Sequence, residues 1–336
     1  MINLKDIREL HVELTTKCQA ACPLCSRNDY GYKTRNDFPI TEMTIENWRK
    51  IFDEVQITIS SVTFNGNFGD PIITKDFIEI CEYSLNRWPM TTIRVHTNGG
   101  IRTTSWWEKL AIKFNRRFRV MFAIDGLEDT NHIYRINVPY KKVIENACAF
   151  INAGGQAHWR MIKFKHNQHQ FEQAAKLSVD LGFKSFELMD QNRNYGFVFT
   201  SDTDGYWILP ADETFVNDQQ PPEKFNLIKS SMNDIANIEM RRINWLKNDK
   251  KLSCYTKERK SVYLSANGEM FPCCWIGSYP KEYKKWYNNF VKVVGNVENN
   301  ALDVGFENAI SWFNLVEESW QSERNVMSAC LNCAKK

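Results

Sequence analysis

Three cysteines, Cys18, Cys22 and Cys25, stand within eight residues at spacings X3 and X2, directly after the apolar-alternating run His11-Val12-Glu13-Leu14-Thr15. Thiols this close in sequence cannot all pair with one another, and a tight loop can bend all three round one ion or one cluster. An iron-sulfur cubane takes one cysteine per iron, so three cysteines leave one iron without a protein ligand. An open coordination position is what separates a reactive metal centre from a sealed structural one. A zinc site, or a chance group of buried thiols, is the plainer alternative on these three residues.

A second set follows far downstream: Cys254, then Gly268-X4-Cys273, then Cys330-X2-Cys333. The run Ser261 to Pro272 has strand-like flanks around Asn267-Gly268 and reads as a hairpin that delivers Cys273. Four sulfurs saturate a cluster or a zinc ion, and spacing leaves both open. Cys274 is the one cysteine to spare and a possible substitute for Cys273. Cys81 and Cys148 fall on apolar helix faces and read as packing residues, since a free cysteine behaves as a small hydrophobe.

Positioning these groups requires a scaffold, and the pattern alternates short strands with helices. Strands are expected at His11–Thr15, Ser61–Phe64, Ile93–His96, Arg119–Ile124, Trp159–Phe164 and Phe183–Met189. Between them, Thr44 caps a helix with Ile45, Trp48, Ile51, Phe52 and Val55 on one face. Further helices carry Phe77, Cys81, Leu85 and Trp88, then Trp107 to Phe114, then Val143 to Ile151 stopped by Gly154-Gly155, then Phe171 to Leu181 ended by Gly182. Strand-then-helix units in series imply parallel strands with helical crossovers. Their order does not choose between an open doubly wound sheet and a curled partial barrel. From Thr200 to Phe225 the composition turns to Asp, Gly, Gln and Pro and reads as a loop or boundary, followed by a helix from Asn226 to Lys247.

The 336 residues bury a sizeable core, and the formal charge of +3 is too small to argue for nucleic acid. Lys281, Lys284 and Lys285, with Lys335 and Lys336, read as a solvated face. No run of about eighteen apolar residues occurs, and Met1 to Asp6 does not read as a signal peptide. A cytoplasmic address is therefore expected. There, ten cysteines in close-spaced groups read as metal ligands rather than disulfides.

The Cys-X3-Cys-X2-Cys loop after a first strand resembles the signature of the radical S-adenosylmethionine (SAM) enzymes. Three further strand ends carry the resemblance. Gly69-Asp70-Pro71 is similar to the family's Gly-Gly-Glu-Pro segment, with Phe68 in place of the first Gly and Asp in place of Glu. Thr97-Asn98-Gly99 resembles its Thr-Asn-Gly turn. Ala123-Ile124-Asp125-Gly126 is similar to Ser-Ile-Asp-Gly, with the hydroxyl lost. The resemblance implies an α/β fold, a partial (β/α)6 TIM-type barrel, with a 4Fe-4S cluster at Cys18, Cys22 and Cys25 whose vacant iron is chelated by SAM. Gly69, Asp70 and Pro71 would meet the methionine ammonium. Thr97, Asn98 and Asp125 would face the rest of SAM, and Arg135 or Arg160 would meet its carboxylate.

After such a core, the second set resembles a twitch domain, the shortened form of the SPASM extension. An auxiliary 4Fe-4S cluster on Cys254, Cys273, Cys330 and Cys333 is what that implies. The resemblance divides the chain into a core over 1–199, a linker and bridging helix over 200–249 and a twitch-like domain over 250–336, without an appended leader-peptide recognition domain. Its implied activity is hydrogen abstraction from a peptide or protein side chain, with net oxidation or crosslinking and an electron donor such as flavodoxin or ferredoxin. A small-molecule dehydrogenase acting on a carbinol or nucleoside is the alternative enzyme. A non-catalytic zinc or iron-sulfur protein is the alternative from another class. Candidate general bases, Asp190 and Asp125 among them, are too many to rank.

Overall fold

The computed structural model of the chain describes residues 4–29, 33–35, 39–189, 196–198, 206–208, 252, 254–277, 290–320 and 327–333. Asp190, most of the Thr200–Phe225 stretch, the helix expected from Asn226 to Lys247, and Lys281, Lys284, Lys285, Lys335 and Lys336 lie outside the described residues. Two compact units emerge. One comprises Met1–Glu13, Asp37–Val62 and Pro222–Lys336, the other Leu14–Asn36 and Thr63–Pro221. Each is built from segments far apart in sequence.

The second unit holds most of the barrel. Strands β5 (Thr92–Thr97), β6 (Phe118–Ala123), β7 (Gln156–Ile162) and β8 (Phe186–Met189) pair in that order, all parallel, with Val95 opposite Val120 and Phe122 opposite Trp159. Helices α2 (Phe77–Arg87), α3 (Thr104–Phe114), α5 (Tyr140–Asn152) and α6 (Phe171–Asp180) supply the crossovers that parallel neighbours require. A short α4 (Asn131–Tyr134) precedes α5.

Alternation along the strands sorts the two faces. Ile93, Val95, Phe118, Val120, Phe122, Ala157, Trp159 and Met161 are buried beneath the helices. There Trp107 packs on Phe122 and Phe150, and Trp159 on Phe183. The opposite face carries Arg94, His96, His158 and Arg160, each half-buried. Parallel strands covered on both faces read as nearly continuous apolar runs. The polar alternation here marks a face that is not packed as a core.

Two short antiparallel pairs complete this unit. Asn28–Asp29 (β2) pairs with Lys33–Thr34 (β3), and Gly196–Val198 (β9) with Tyr206–Ile208 (β10). The latter falls where composition reads as loop. Tyr206-Trp207-Ile208, aromatic and β-branched, is the local exception that pairs.

The first unit contains β1 (Glu9–Val12), α1 (Ile45–Phe52), β11 (Ser261–Leu264) and β12 (Met270–Phe271). Thr44 caps α1 by accepting from the Asn47 N–H at 3.1 Å, and Trp48, Ile51 and Phe52 turn inward. Phe52 meets Phe306 of the short helix Phe306–Ile310. The expected hairpin forms, with β11 antiparallel to β12, while β11 pairs parallel to β1 with Leu10 opposite Val262. The unit boundary cuts through β4 (Ser61–Phe64), whose entry is tied to β1 by the Ser60 N–H donating to the Arg8 carbonyl at 2.8 Å.

With β1, β4, β5, β6, β7 and β8 as its six strands, the fold is mostly parallel α/β and unclosed, a partial (β/α)6 barrel. No helix among the described residues is long and apolar enough to cross a membrane.

Candidate functional site

The loop that carries Cys18, Cys22 and Cys25 follows β1 and is folded by its own backbone and two neighbouring side chains. The Cys25 N–H donates to the Cys22 carbonyl at 3.1 Å, and the Asn28 N–H to the Cys25 carbonyl at 3.0 Å. The buried Asn28 amide reaches the Ala20 and Cys22 carbonyls, and the Arg27 guanidinium closes onto the Thr16 carbonyl. Cys22 is buried, whereas Cys18 and Cys25 are half-buried.

Loops from three other strand ends fasten this one in place. After β4, the Asp70 N–H donates to the Lys17 carbonyl at 2.9 Å. Gly69 allows that approach, because a Cβ there would stand 1.7 Å from the Thr15 carbonyl oxygen. Asp70 itself caps the turn Pro71–Ile73 through Oδ1, which accepts from the Ile72 N–H. Its Oδ2 accepts from the Thr97 hydroxyl at 2.9 Å, the Asn98 N–H at 2.8 Å and the Asn98 amide at 2.6 Å. Three donors on one oxygen suit an ionised carboxylate, although complete burial pushes its pKa up against those hydrogen bonds. After β5, Asn98 also pairs with the Gln19 side chain at 2.6 Å and sets its amide nitrogen 3.7 Å from the Cys18 sulfur.

After β6, the Ala21 N–H donates to the Ile136 carbonyl at 3.0 Å, and Arg135 lies between a carboxylate and a thiol. Its Nε meets Asp125 Oδ2 at 2.6 Å and its Nη1 stands 3.7 Å from the Cys22 sulfur. The Asp125 side chain is wholly inaccessible, and its other oxygen accepts from the Ile162 N–H at 2.6 Å. Asn131 and Asn167 fix the Asp125 backbone. Burial pushes the Asp125 pKa up while Arg135 opposes it; at Arg135 burial acts downward, but Asp125, Cys22 and Tyr134 together outweigh it and the pKa is raised. An arginine does not give up its proton in a protein, so a positive charge stays beside Asp125.

Arg160 is in an ion pair too, with Glu187 Oε2 at 2.8 Å, and also lies 3.3 Å from His96 Nδ1. It projects from β7 on the polar face, in register with Ala123. Gly69, Asp70, Thr97, Asn98, Asp125 and Arg135 are thus gathered round the cysteine loop, with Pro71 in the turn that Asp70 caps, and Arg160 is held by a separate network. Gln19, Asn131 and Asn167, missed in the sequence, are amides whose role depends on partners 42 positions away for Asn167 and 79 for Gln19. A polar side chain beside a strand-end motif was the available signal.

The thiols are poor ligands until deprotonated. Burial, with the nearby Asp70 carboxylate, pushes Cys18 far up, and burial against the opposing charge of Arg135 puts Cys22 at about 11. Metal binding would have to displace those protons. Among the described residues, no three His, Cys, Asp or Glu side chains converge closely enough to hold a single ion. The all-sulfur donor set and the flanking N–H donors fit an iron-sulfur cluster.

In the other unit a second thiol group assembles. Cys254 precedes the short helix Tyr255–Glu258, Cys273 and Cys274 follow the hairpin, and Cys330 and Cys333 lie in the turn Ser328–Cys333. Gly268, at φ +91°, makes the tight turn, and a Cβ there would meet Asn300 Oδ1 at 2.7 Å. Burial raises Cys273 well above its ordinary value and Cys330 to about 12, with Trp320 opposing at Cys330. Charge on Cys254 and Cys333 adds to the rise at Cys330, as Cys330 and Cys274 add to that at Cys273. Cys274, raised by burial to about 11, is influenced by Cys333 and by buried Glu13, which accepts from the Tyr263 hydroxyl at 2.9 Å. Cys81 is buried in the core, as expected of a packing residue, and Cys148 is half-buried.

No family model matches the sequence, and no curated protein does. Among solved structures, the chain resembles SuiB of Streptococcus suis bound to S-adenosylmethionine, with 14% identity over 88% of this chain and 64% of that one and a TM-score of 0.51. A second SuiB structure gives 13% identity over 91% and 65%, with a TM-score of 0.52. The chain spans just under two thirds of the length of SuiB. Strand order, the loops at the strand ends and this likeness agree on one architecture, the partial (β/α)6 barrel.

Proposed function

We propose that the chain is a radical SAM enzyme that removes a hydrogen atom from a peptide or protein side chain, with net oxidation or crosslinking of that side chain. One observation carries the reading: three strand-end loops close on the loop that holds the three thiols and bring a carboxylate, amides and a guanidinium with them. A sealed zinc loop has no need of such company. Cys18, Cys22 and Cys25 would hold a 4Fe-4S cluster with its fourth iron left to SAM. Bound there, the cluster supplies the electron that cleaves SAM to a 5'-deoxyadenosyl radical.

The residues of the chain bind and orient. Asp70 keeps acceptor capacity on Oδ1 for the methionine ammonium, next to Gly69 and Pro71. Thr97 and Asn98 hold that carboxylate in place, and Asp125, expected to meet the ribose, is instead closed off and orients Arg135. Arg160, more exposed than Arg135, is the better partner for the methionine carboxylate. The polar face bearing His96, His158 and Arg160 would receive substrate.

Cys254, Cys273, Cys330 and Cys333 would hold an auxiliary 4Fe-4S cluster. Full ligation there suits taking up an electron rather than binding substrate. A reducing cytoplasm, with a flavodoxin or ferredoxin as donor, suits both sites.

Anaerobic reconstitution tests the reading. Two cubanes give roughly eight irons per chain, and SAM with reductant releases 5'-deoxyadenosine. Cys18→Ala abolishes that release. Zinc in place of iron, or release that persists in the variant, overturns the assignment. Faster release with candidate peptides than with carbinols or nucleosides distinguishes the substrate class.

A further inference from the structure

Arg135 has more contacts toward the cysteine loop than SAM binding calls for. Its backbone is fixed at the end of α4, where its N–H donates to the Asn131 carbonyl at 2.8 Å and its carbonyl accepts from the Val138 N–H at 3.1 Å. The next residue, Ile136, accepts from the Ala21 N–H inside the cysteine loop. Its side chain is 14% exposed, lies beside the Tyr134 ring, and is pinned by the inaccessible Asp125 carboxylate at 2.6 Å. The remaining fork of the guanidinium points at the Cys22 sulfur, 3.7 Å away. A permanent positive charge is therefore held against one thiol of the loop, with the Asp125 carboxylate directly behind it.

We infer that Arg135 and Asp125 act as an opposed charge pair that sets the reduction potential of the cluster on Cys22, in addition to any contact with SAM. The inference rests on the proposed cluster at Cys18, Cys22 and Cys25. N–H donors and charges near the sulfurs are among the features by which a protein adjusts the potential of such a cluster. Reduction adds negative charge. The guanidinium favours the reduced form, and Asp125 weakens that effect while fixing its direction. Arg135 is in this sense a positioning residue for charge and takes no part in bond breaking.

The two partners predict opposite outcomes, which a purely structural ion pair does not. The measurement is an EPR-monitored redox titration of the reconstituted full-length protein without SAM, following the signal that Cys18→Ala removes. Arg135→Gln makes that cluster harder to reduce, lowering the reduced-to-oxidised ratio at fixed potential about tenfold, a shift of about 59 mV for a one-electron couple. Asp125→Asn leaves the arginine charge unopposed and moves the ratio the other way. Arg135→Lys keeps the charge and stays closer to the parent than Arg135→Gln does.

Iron content of each variant establishes that the cluster is present. Potentials that stay at the parent value in all three variants, or that move together in one direction, overturn the inference while leaving the cluster assignment intact. A parent protein whose signals are all untouched by Cys18→Ala overturns the cluster assignment and the inference with it.

Discussion

Gly69 and Asp70 carry the contact between the β4 loop and the cysteine loop, and their roles differ in kind. Gly69 is required by space, with the Thr15 carbonyl where a Cβ would be. Gly69→Ala should displace the loop and abolish iron loading at Cys18, Cys22 and Cys25 while leaving the second site loaded, read as a fall from roughly eight to roughly four irons per chain. Asp70 is required by valence. Asp70→Ala strips the acceptor from the Thr97 hydroxyl and the Asn98 N–H in a buried setting. The expected cost is about 3 kcal/mol, read by denaturant unfolding of the unloaded protein. The Gly-Asp-Pro motif could be seen in the sequence, but three donors sharing one oxygen could not, because they come from residues 27 and 28 positions away.

The segment linking β7 to α6 offers a prediction of its own. His166 stacks on Phe164, its Nε2 is buried without a partner, and burial with the nearby His132 and His169 lowers its pKa to about 4. A histidine held neutral in the fold costs nothing above its unfolded value near 6.5. Below that, the unfolded chain takes up a proton that the folded chain refuses, so stability falls as pH drops from about 6.5 to about 4, by roughly 3 kcal/mol. His166→Phe should flatten that part of the stability curve, measured by unfolding across the range.

The strands and helices themselves were largely readable. Apolar residues two apart marked β5 and β7, Thr44 marked the start of α1, and Gly154 and Gly182 lie at positive φ just past the helices they were expected to end. Boundaries were less legible. The sixth strand begins at Phe186 rather than Phe183, because Phe183 turns its ring to Trp159 and Phe122 instead of entering the ladder.

At the scale of the whole molecule, the two thiol groups fall in different compact units, so each should load by itself. Cys273 follows the hairpin at the expected spacing from Gly268, and Cys274 is the spare thiol beside it. Cys273→Ser should remove the irons of the second group alone, and Cys274→Ser should leave the count at roughly eight. Iron loss in the second variant alone would exchange their roles.

Pairing of β11 with β1 had no local signature, since nothing near Leu10 announces a partner about 250 positions later. That pairing has a consequence for biosynthesis. The strand from which the cysteine loop hangs finds one neighbour only when residues 261–264 have left the ribosome. A chain cut short after residue 250 should emerge with its opening strand bare along that edge, prone to stick to other chains and slow to mature. Iron delivery in the cell would then follow the emergence of β11 rather than that of the cysteine loop.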